Sequence, residues 1–311
     1  MNSPVLLITF NRPAYVRQMI AALRAAKVRN LYVFKDGPRP NNTADYNASK
    51  EIENIIGSID WECSVKTNYM QNNLGCGYGP YSAISWAFQY ENELIILEDD
   101  CVPTIPFFDF CTGMLEKYRN NIKIKHITGR CPAPEHYIFR KYDYIYTQYA
   151  PTIGWATWKR TWENFDMQMR EVEPFIKNGG FTNQFSSKKE AKFFNRRFDE
   201  TRRDPNAVFH IWDYQYGLHS RMNGALGIVP AANLIDYIGV EGTHPTAVNS
   251  EIVQLKTSTK FVAKNHPSEI AIIPEYDYAY FCRFIYGNSS LLHRIISHIK
   301  KIIKPCRLIR R

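Results

Sequence analysis

Short apolar runs alternate with stretches of helical spacing through the first hundred residues. Residues 4–9 (PVLLIT), 31–34 and 94–97 are nearly unbroken apolar runs. Such runs predict strands buried on both faces of a mostly parallel sheet. Residues 63–66 supply a further strand. Between the first two runs, Val16, Ile20, Leu23 and Ala26 share one face of a helix over 13–27, with Pro13 in its first turn. Ile52, Ile55 and Ile56 mark a second helix over 44–56. Strand, helix, strand, helix, strand is the order of βαβ units. A third helix follows Gly75, Gly77 and Gly79 and turns Ile84, Ala87 and Phe88 inward. A fourth buries Phe107, Phe108, Cys111, Met114 and Leu115. Residues 122–129, 142–149 and 234–238 read as strands, the middle one antiparallel. Residues 186–204 read as a charge-rich helix with a solvated face, and a further helix runs from Asp213 to about Met222. The expected fold class is α/β, with a Rossmann-like, mostly parallel central sheet and helices on both faces.

The chain has 311 residues, enough for one large α/β domain. Seven cysteines without CxxC spacing point to free thiols in a reducing compartment rather than a disulfide framework or zinc site. The first residues lack the basic segment and long apolar run of a signal peptide or span. Eight of the 39 Lys and Arg lie from Arg283 onward, where there is no acid; removing them leaves 31 cations against 30 anions. Nucleic acid is therefore not an expected partner of the nearly neutral body. In the tail, Leu291, Leu292, Ile295, Ile296, Ile299, Ile302 and Ile303 line one face of a basic amphipathic helix over 289–304. That pattern suits an anionic membrane surface at the inner face of the cell membrane, with a docked C-terminal helix as the alternative. The expected division is 1–130 as a nucleotide-binding-like half, 131–270 as the second half of the same domain, and 271–311 as the helical tail.

Candidate chemistry begins where the run 94–97 meets Glu98, Asp99 and Asp100. Carboxylates at the C-terminal end of a buried strand sit where open α/β sheets bind ligands. Their mutual repulsion calls for a cation, and hard oxygen donors suit Mg²⁺ or Mn²⁺; a solvated acidic turn is the bland alternative. The glycines at 75, 77 and 79 allow backbone N–H groups to approach an anion, or else form a turn that starts a helix close to the sheet. They match neither a Walker A loop nor a GxGxxG fingerprint. Trp155, Trp158 and Trp162 offer either stacking faces for a sugar or ordinary core. Asp213, between Trp212 and Tyr214, is either a helix cap or a general base held among aromatic walls. His244 is a candidate third metal ligand.

Taken in order, LLITFNRP, DGPR, NNLGCGYG, ELIILEDDC, a Gly-Trp turn and an Asp beside a Trp resemble the GT-A class of nucleotide-sugar glycosyltransferases. More narrowly, they resemble bacterial relatives of N-acetylglucosaminyltransferase I, over residues 4 to 245. The resemblance implies Thr9, Asn11 and Arg12 near the nucleotide and Asp36 near the uracil. It places Glu98 and Asp99 at the sugar nucleotide, Asp100 as a direct Mn²⁺ ligand, and Gly154 and Trp155 along the donor and acceptor pocket. Asp213 would be the base of an inverting displacement. The family pattern has two acids between tryptophans where this chain has WDY, so Glu241, and after it Asp236, stand as alternatives. The implied activity is metal-dependent transfer from a UDP-sugar, UDP-GlcNAc-like, to a hydroxyl of a lipid-linked or polysaccharide acceptor. The alternatives are a sugar-phosphate nucleotidyltransferase and a non-enzymatic lipid- or nucleic-acid-binding protein that uses the basic tail.

Overall fold

The computed structural model describes residues 3–180, 184–185, 187–203, 212–240 and 255–286. Strands β1 (Val5–Thr9), β2 (Asn30–Lys35), β3 (Ser64–Tyr69) and β4 (Glu93–Glu98) are linked by helices α1 (Pro13–Ala25), α2 (Thr43–Gly57) and α3 (Gly75–Ala87). Then come β5 (Cys101–Pro103), α4 (Ile105–Tyr118), β6 (Ile124–Thr128), β7 (Tyr144–Thr147), β8 (Trp155–Trp158) and α5 (Lys159–Trp162). Helices α6 (Val172–Lys177), α7 (Lys188–Arg203) and α8 (Trp212–Met222) precede β9 (Leu226–Pro230), β10 (Ile235–Tyr237) and α9 (Pro274–Tyr280).

Eight strands form one sheet in the order β3-β2-β1-β4-β8-β6-β9-β7. The pairs β1–β2, β2–β3, β1–β4 and β6–β9 are parallel, whereas β8 runs antiparallel to both β4 and β6, and β7 antiparallel to β9. The sheet is thus mostly parallel, as the apolar runs predict. Alternate residues of the inner strands face opposite layers. Val5, Leu7, Leu31, Val33, Ile95 and Leu97 pack with α1, α2 and α4, while Leu6, Ile8, Phe34, Leu94 and Ile96 pack with α3 and α8.

Five elements depart from the expectation. Residues 155–158, read as part of a turn, form β8 and enter the centre of the sheet, so Trp155 and Trp158 are core at 1% and 2% exposure. Residues 226–230 form the buried strand β9, which the pattern did not single out. Strands β5 and β10 pair with one another above the sheet instead of joining it, Tyr237 lying opposite Cys101. Helix α7 has more than a solvated face, since Glu190, Ala191, Phe193 and Phe194 are buried. Six cysteines, Cys63, Cys76, Cys101, Cys111, Cys131 and Cys282, are free thiols.

The tail begins later than the division at 271 implies, because α9 docks on the body with Tyr276 and Asp277 each 1% exposed. The amphipathic stretch 289–304 lies outside the described residues. Among those residues, no helix is long and apolar enough to cross a membrane.

Asp277 accepts hydrogen bonds from the Thr147 hydroxyl and from Gln148 N at 3.1 Å. Burial outweighs these bonds and pushes its pKa up to about 7. The folded state therefore holds a proton that the unfolded chain has already released, and stability falls as pH rises from about 4 to about 7. Asp277→Asn, which mimics the protonated carboxyl, should flatten that slope by up to about 1.4 kcal/mol per pH unit. Denaturant unfolding from pH 4 to 8 checks this; parallel curves for the two proteins would refute it.

Candidate active site at the C-terminal edge of the sheet

Parallel pairing of β1, β2 and β4 brings the ends of all three strands to one edge. The loop after β1 carries Asn11 and Arg12, the residue after β2 is Asp36, and β4 ends in Glu98. Arg12 Nη2 pairs with Asp99 Oδ1, and Nη1 donates to Asp100 Oδ2 at 3.1 Å. Burial opposes the charge of Arg12, but the two carboxylates win and raise its pKa. Asp99 is 2% exposed, with Oδ2 buried and unpartnered. Burial raises the Asp99 pKa to about 6 against the pull of Arg12. Asp100 Oδ1 accepts from the Cys101 thiol at 3.3 Å.

Glu98 holds its proton well above the ordinary carboxylate range. Burial is the first cause, followed by Asp100, Asp213 and Asp99, with Arg12 opposing them. Asp213, in the first turn of α8, thus returns to the end of β4. Cys76 at the start of α3 lies within the same field, its thiol pushed up by burial and by Glu98, Asp213 and Asp36. Asp213 is exposed, so it is not walled in by aromatics; its neighbour Trp212 takes the core position, stacked on Trp155 at 5.6 Å.

Asp36 is 7% exposed and fully engaged within the protein. Its Oδ1 accepts from Gly37 N at 2.8 Å and Leu74 N at 2.8 Å, and its Oδ2 from Gly75 N at 3.0 Å and Asn73 Nδ2 at 3.0 Å. The anion met by the N–H groups of Leu74 and Gly75 is therefore Asp36 itself. Burial nonetheless raises the Asp36 pKa. Thr9 is likewise internal, Oγ1 donating to Phe34 O at 3.2 Å, and Asn11 Nδ2 donates to Asp45 Oδ1 at 2.8 Å. Gly154 has φ +57°, and its carbonyl accepts from Gly129 N at 2.7 Å; a Cβ there would lie 2.4 Å from Ile235 Cδ1. Trp155 is 1% exposed and presents no face to solvent, so the stacking role read from the sequence does not fit its burial.

The edge thus brings together Arg12, Asp36, Cys76, Glu98, Asp99, Asp100 and Asp213. His244 and Glu241 lie outside the described residues. Asp236, on β10, pairs with Val102 above the sheet. Among the described residues, no group of three or more His, Cys, Asp or Glu is arranged to hold a metal ion. The carboxylate donors have the right chemistry for a hard divalent ion but form no closed cage. Such an ion would have to take further oxygens from a ligand and water.

Sequence reasoning missed four residues here. Cys76 was hidden among glycines, and Tyr237 and Gly239 reach the site only through the β5–β10 pairing. A Cβ on Gly239 would lie 2.5 Å from the Tyr237 hydroxyl and 2.7 Å from Asp100 Oδ2. The fourth, Arg130, follows β6 and carried a usable signal, a lone cation just past the strand predicted over 122–129.

Gly37 is the tightest point of the turn, since a Cβ there would stand 2.4 Å from the backbone carbon of Asn72. Gly37→Ala should displace the 72–75 turn from Asp36 and lower stability by about 1–3 kcal/mol. Amide exchange at Leu74 and Gly75 should quicken with it; unchanged protection of both amides would contradict the assigned role of this turn.

No family model matches this chain, and no curated protein does. Among solved structures, it is similar to a UDP-glucose pyrophosphorylase complexed with UDP-glucose, at 11% identity and a TM-score of 0.34. That likeness covers 73% of this chain and 90% of the other. So distant a likeness leaves the fold description to rest on the strand order and the site on its own geometry.

Proposed function

We propose that this chain is a transferase acting on a nucleotide sugar, with the donor, a UDP-sugar, lying along the strand ends from Asp36 toward Asp213. The observation that carries this reading is the return of Asp213 to the acidic end of β4, within the field of Glu98. A diphosphate leaving group needs its charge met at one point, and an incoming hydroxyl needs a base at another. Glycosyl transfer uses both. The Asp213 carboxylate accepts the acceptor hydroxyl's proton while that oxygen bonds to the anomeric carbon. The bond from this carbon to the diphosphate breaks as the new bond forms, its electron pair goes to the diphosphate oxygen, and UDP leaves. Asp100, with Glu98 beside it, would hold Mg²⁺ or Mn²⁺ together with ligand oxygens and water. The ion would supply positive charge for the departing diphosphate. The glycan or lipid-linked acceptor, and membrane attachment through 289–304, rest on the sequence alone.

One observation favours a second reading, sugar-phosphate nucleotidyl transfer. Asp213 is exposed, and the attacking phosphate oxygen of that reaction is already ionised at neutral pH and needs no base.

UDP with Mn²⁺ should raise the unfolding midpoint by mass action, and no shift with UDP or any UDP-sugar would end the proposal. Asp100→Ala should abolish turnover in either reaction. Asp213→Asn should slow UDP release from a UDP-sugar by roughly 100-fold or more, with UDP binding retained. Formation of UTP and a sugar 1-phosphate from UDP-glucose and pyrophosphate, undiminished in Asp213→Asn, would select the second reading.

A further inference from the structure

Three arginines show how this fold can satisfy a guanidinium, although Arg221 keeps a buried Nε without an acceptor. Arg12 forks onto two carboxylates, and Arg39 makes two bonds to Asp45, at 2.6 and 2.9 Å. Arg160 donates to the carbonyls of Arg119, Ile124 and Tyr118 at 2.8, 3.1 and 3.0 Å. Arg130 is different. It is 2% exposed, Nη1 makes one long bond to Ile235 O at 3.3 Å, and Nη2 is buried and donates to nothing. Among the described residues it has no carboxylate at ion-pair distance. A buried guanidinium left in this state is costly, and burial lowers its pKa. A purely packing role would be served better by an apolar side chain.

Its position suggests what the cation is for. Arg130 follows β6 at the same sheet edge as the acidic cluster. Its guanidinium lies 6.0 Å from the Tyr237 ring centre and within the field of Cys101, the thiol that donates to Asp100. Neighbouring strands stand about 4.8 Å apart. Asp36 after β2 and Asp100 after β4 are therefore about 10 Å apart across the sheet, and Arg130 after β6 is about 10 Å further on. With the base toward Asp36 and the diphosphate at Asp100, what reaches Arg130 is the transferred sugar or the acceptor.

We propose that Arg130 recognises a negatively charged group, a carboxylate or phosphate, on the part of the substrate beyond the diphosphate. This rests on the nucleotide-sugar reading above. The planar fork suits such a group through paired hydrogen bonds. Because Nη2 has no open surface, entry requires a covering side chain to turn aside. Half-buried Tyr237, on the three-residue strand β10, is the one beside the guanidinium.

Calorimetric titration tests this in two arms. In the first, UDP-glucose is compared with the UDP-sugar that differs only in carrying a C6 carboxylate. In the second, protein saturated with UDP is titrated with glucose and with glucose 6-phosphate. The first arm detects a charge on the donor, the second a charge on the acceptor. In one arm the charged member should bind at least about tenfold more tightly. Arg130→Met should reduce that preference to about twofold or less while UDP binds as before, with Arg130→Lys intermediate. If UDP binds but neither pair shows a preference, or if the preference survives in Arg130→Met, the inference is wrong. Failure of UDP itself to bind would instead remove the reading beneath it.

Discussion

A single guanidinium holds the candidate site together. Arg12 comes from the loop after β1, and Asp99 and Asp100 come from the turn after β4; they meet because those strands are parallel neighbours. Two successive carboxylates, Asp99 buried and Asp100 half-buried, beside a third, Glu98, would repel one another strongly without it. Removing one partner of such a buried pair typically costs about 3–5 kcal/mol, because the other charge is left stranded. The compensation is incomplete, however. Asp99 keeps an unpartnered oxygen, and Glu98 keeps its proton abnormally well. The edge is stable enough to form and still leaves negative charge uncompensated, which is the ground for the metal-bound diphosphate proposed there.

Two kinds of anion handling stand side by side. Asp36 is saturated by four internal donors and serves to hold the glycine-rich turn against β2, so α3 starts at a defined height above the sheet. Glu98 and Asp213 lie within one another's field at the end of β4. The first arrangement is architecture, and the second leaves like charges close together without a cation between them. Arg130 adds the opposite imbalance, a buried cation short of an acceptor, on the far side of Tyr237.

The local pattern foretold most of the left half of the molecule, for a physical reason. In β1, β2 and β4 nearly every residue is buried on one face or the other, so the apolar run and the strand coincide. Helices α2 and α4 bury the periodic residues their sequences mark out, while α1 buries Val16 and Leu23 together with Met19 and leaves Ile20 and Ala26 half-buried. The right half was less legible. Strand β8 is four residues long and contains Thr157, whose hydroxyl donates to Lys125 O at 2.6 Å across the sheet. Strand β9 begins with Leu226 and Gly227, and Gly227 packs against Ala150 in a gap that a Cβ would close.

Composition and periodicity alone determined the α/β class, the parallel core and the gathering of Glu98, Asp99 and Asp100 at a strand end, because these depend on near neighbours in the chain. Tertiary structure decided which of the charged and aromatic residues are available for chemistry. It sent Trp155 into the core, spent the carboxylate of Asp36 on the protein's own backbone, and set Asp213 beside Glu98. It also left Nη2 of Arg130 without an acceptor. Whether a polar atom is satisfied depends on groups distant in sequence, and only the folded chain brings those groups together.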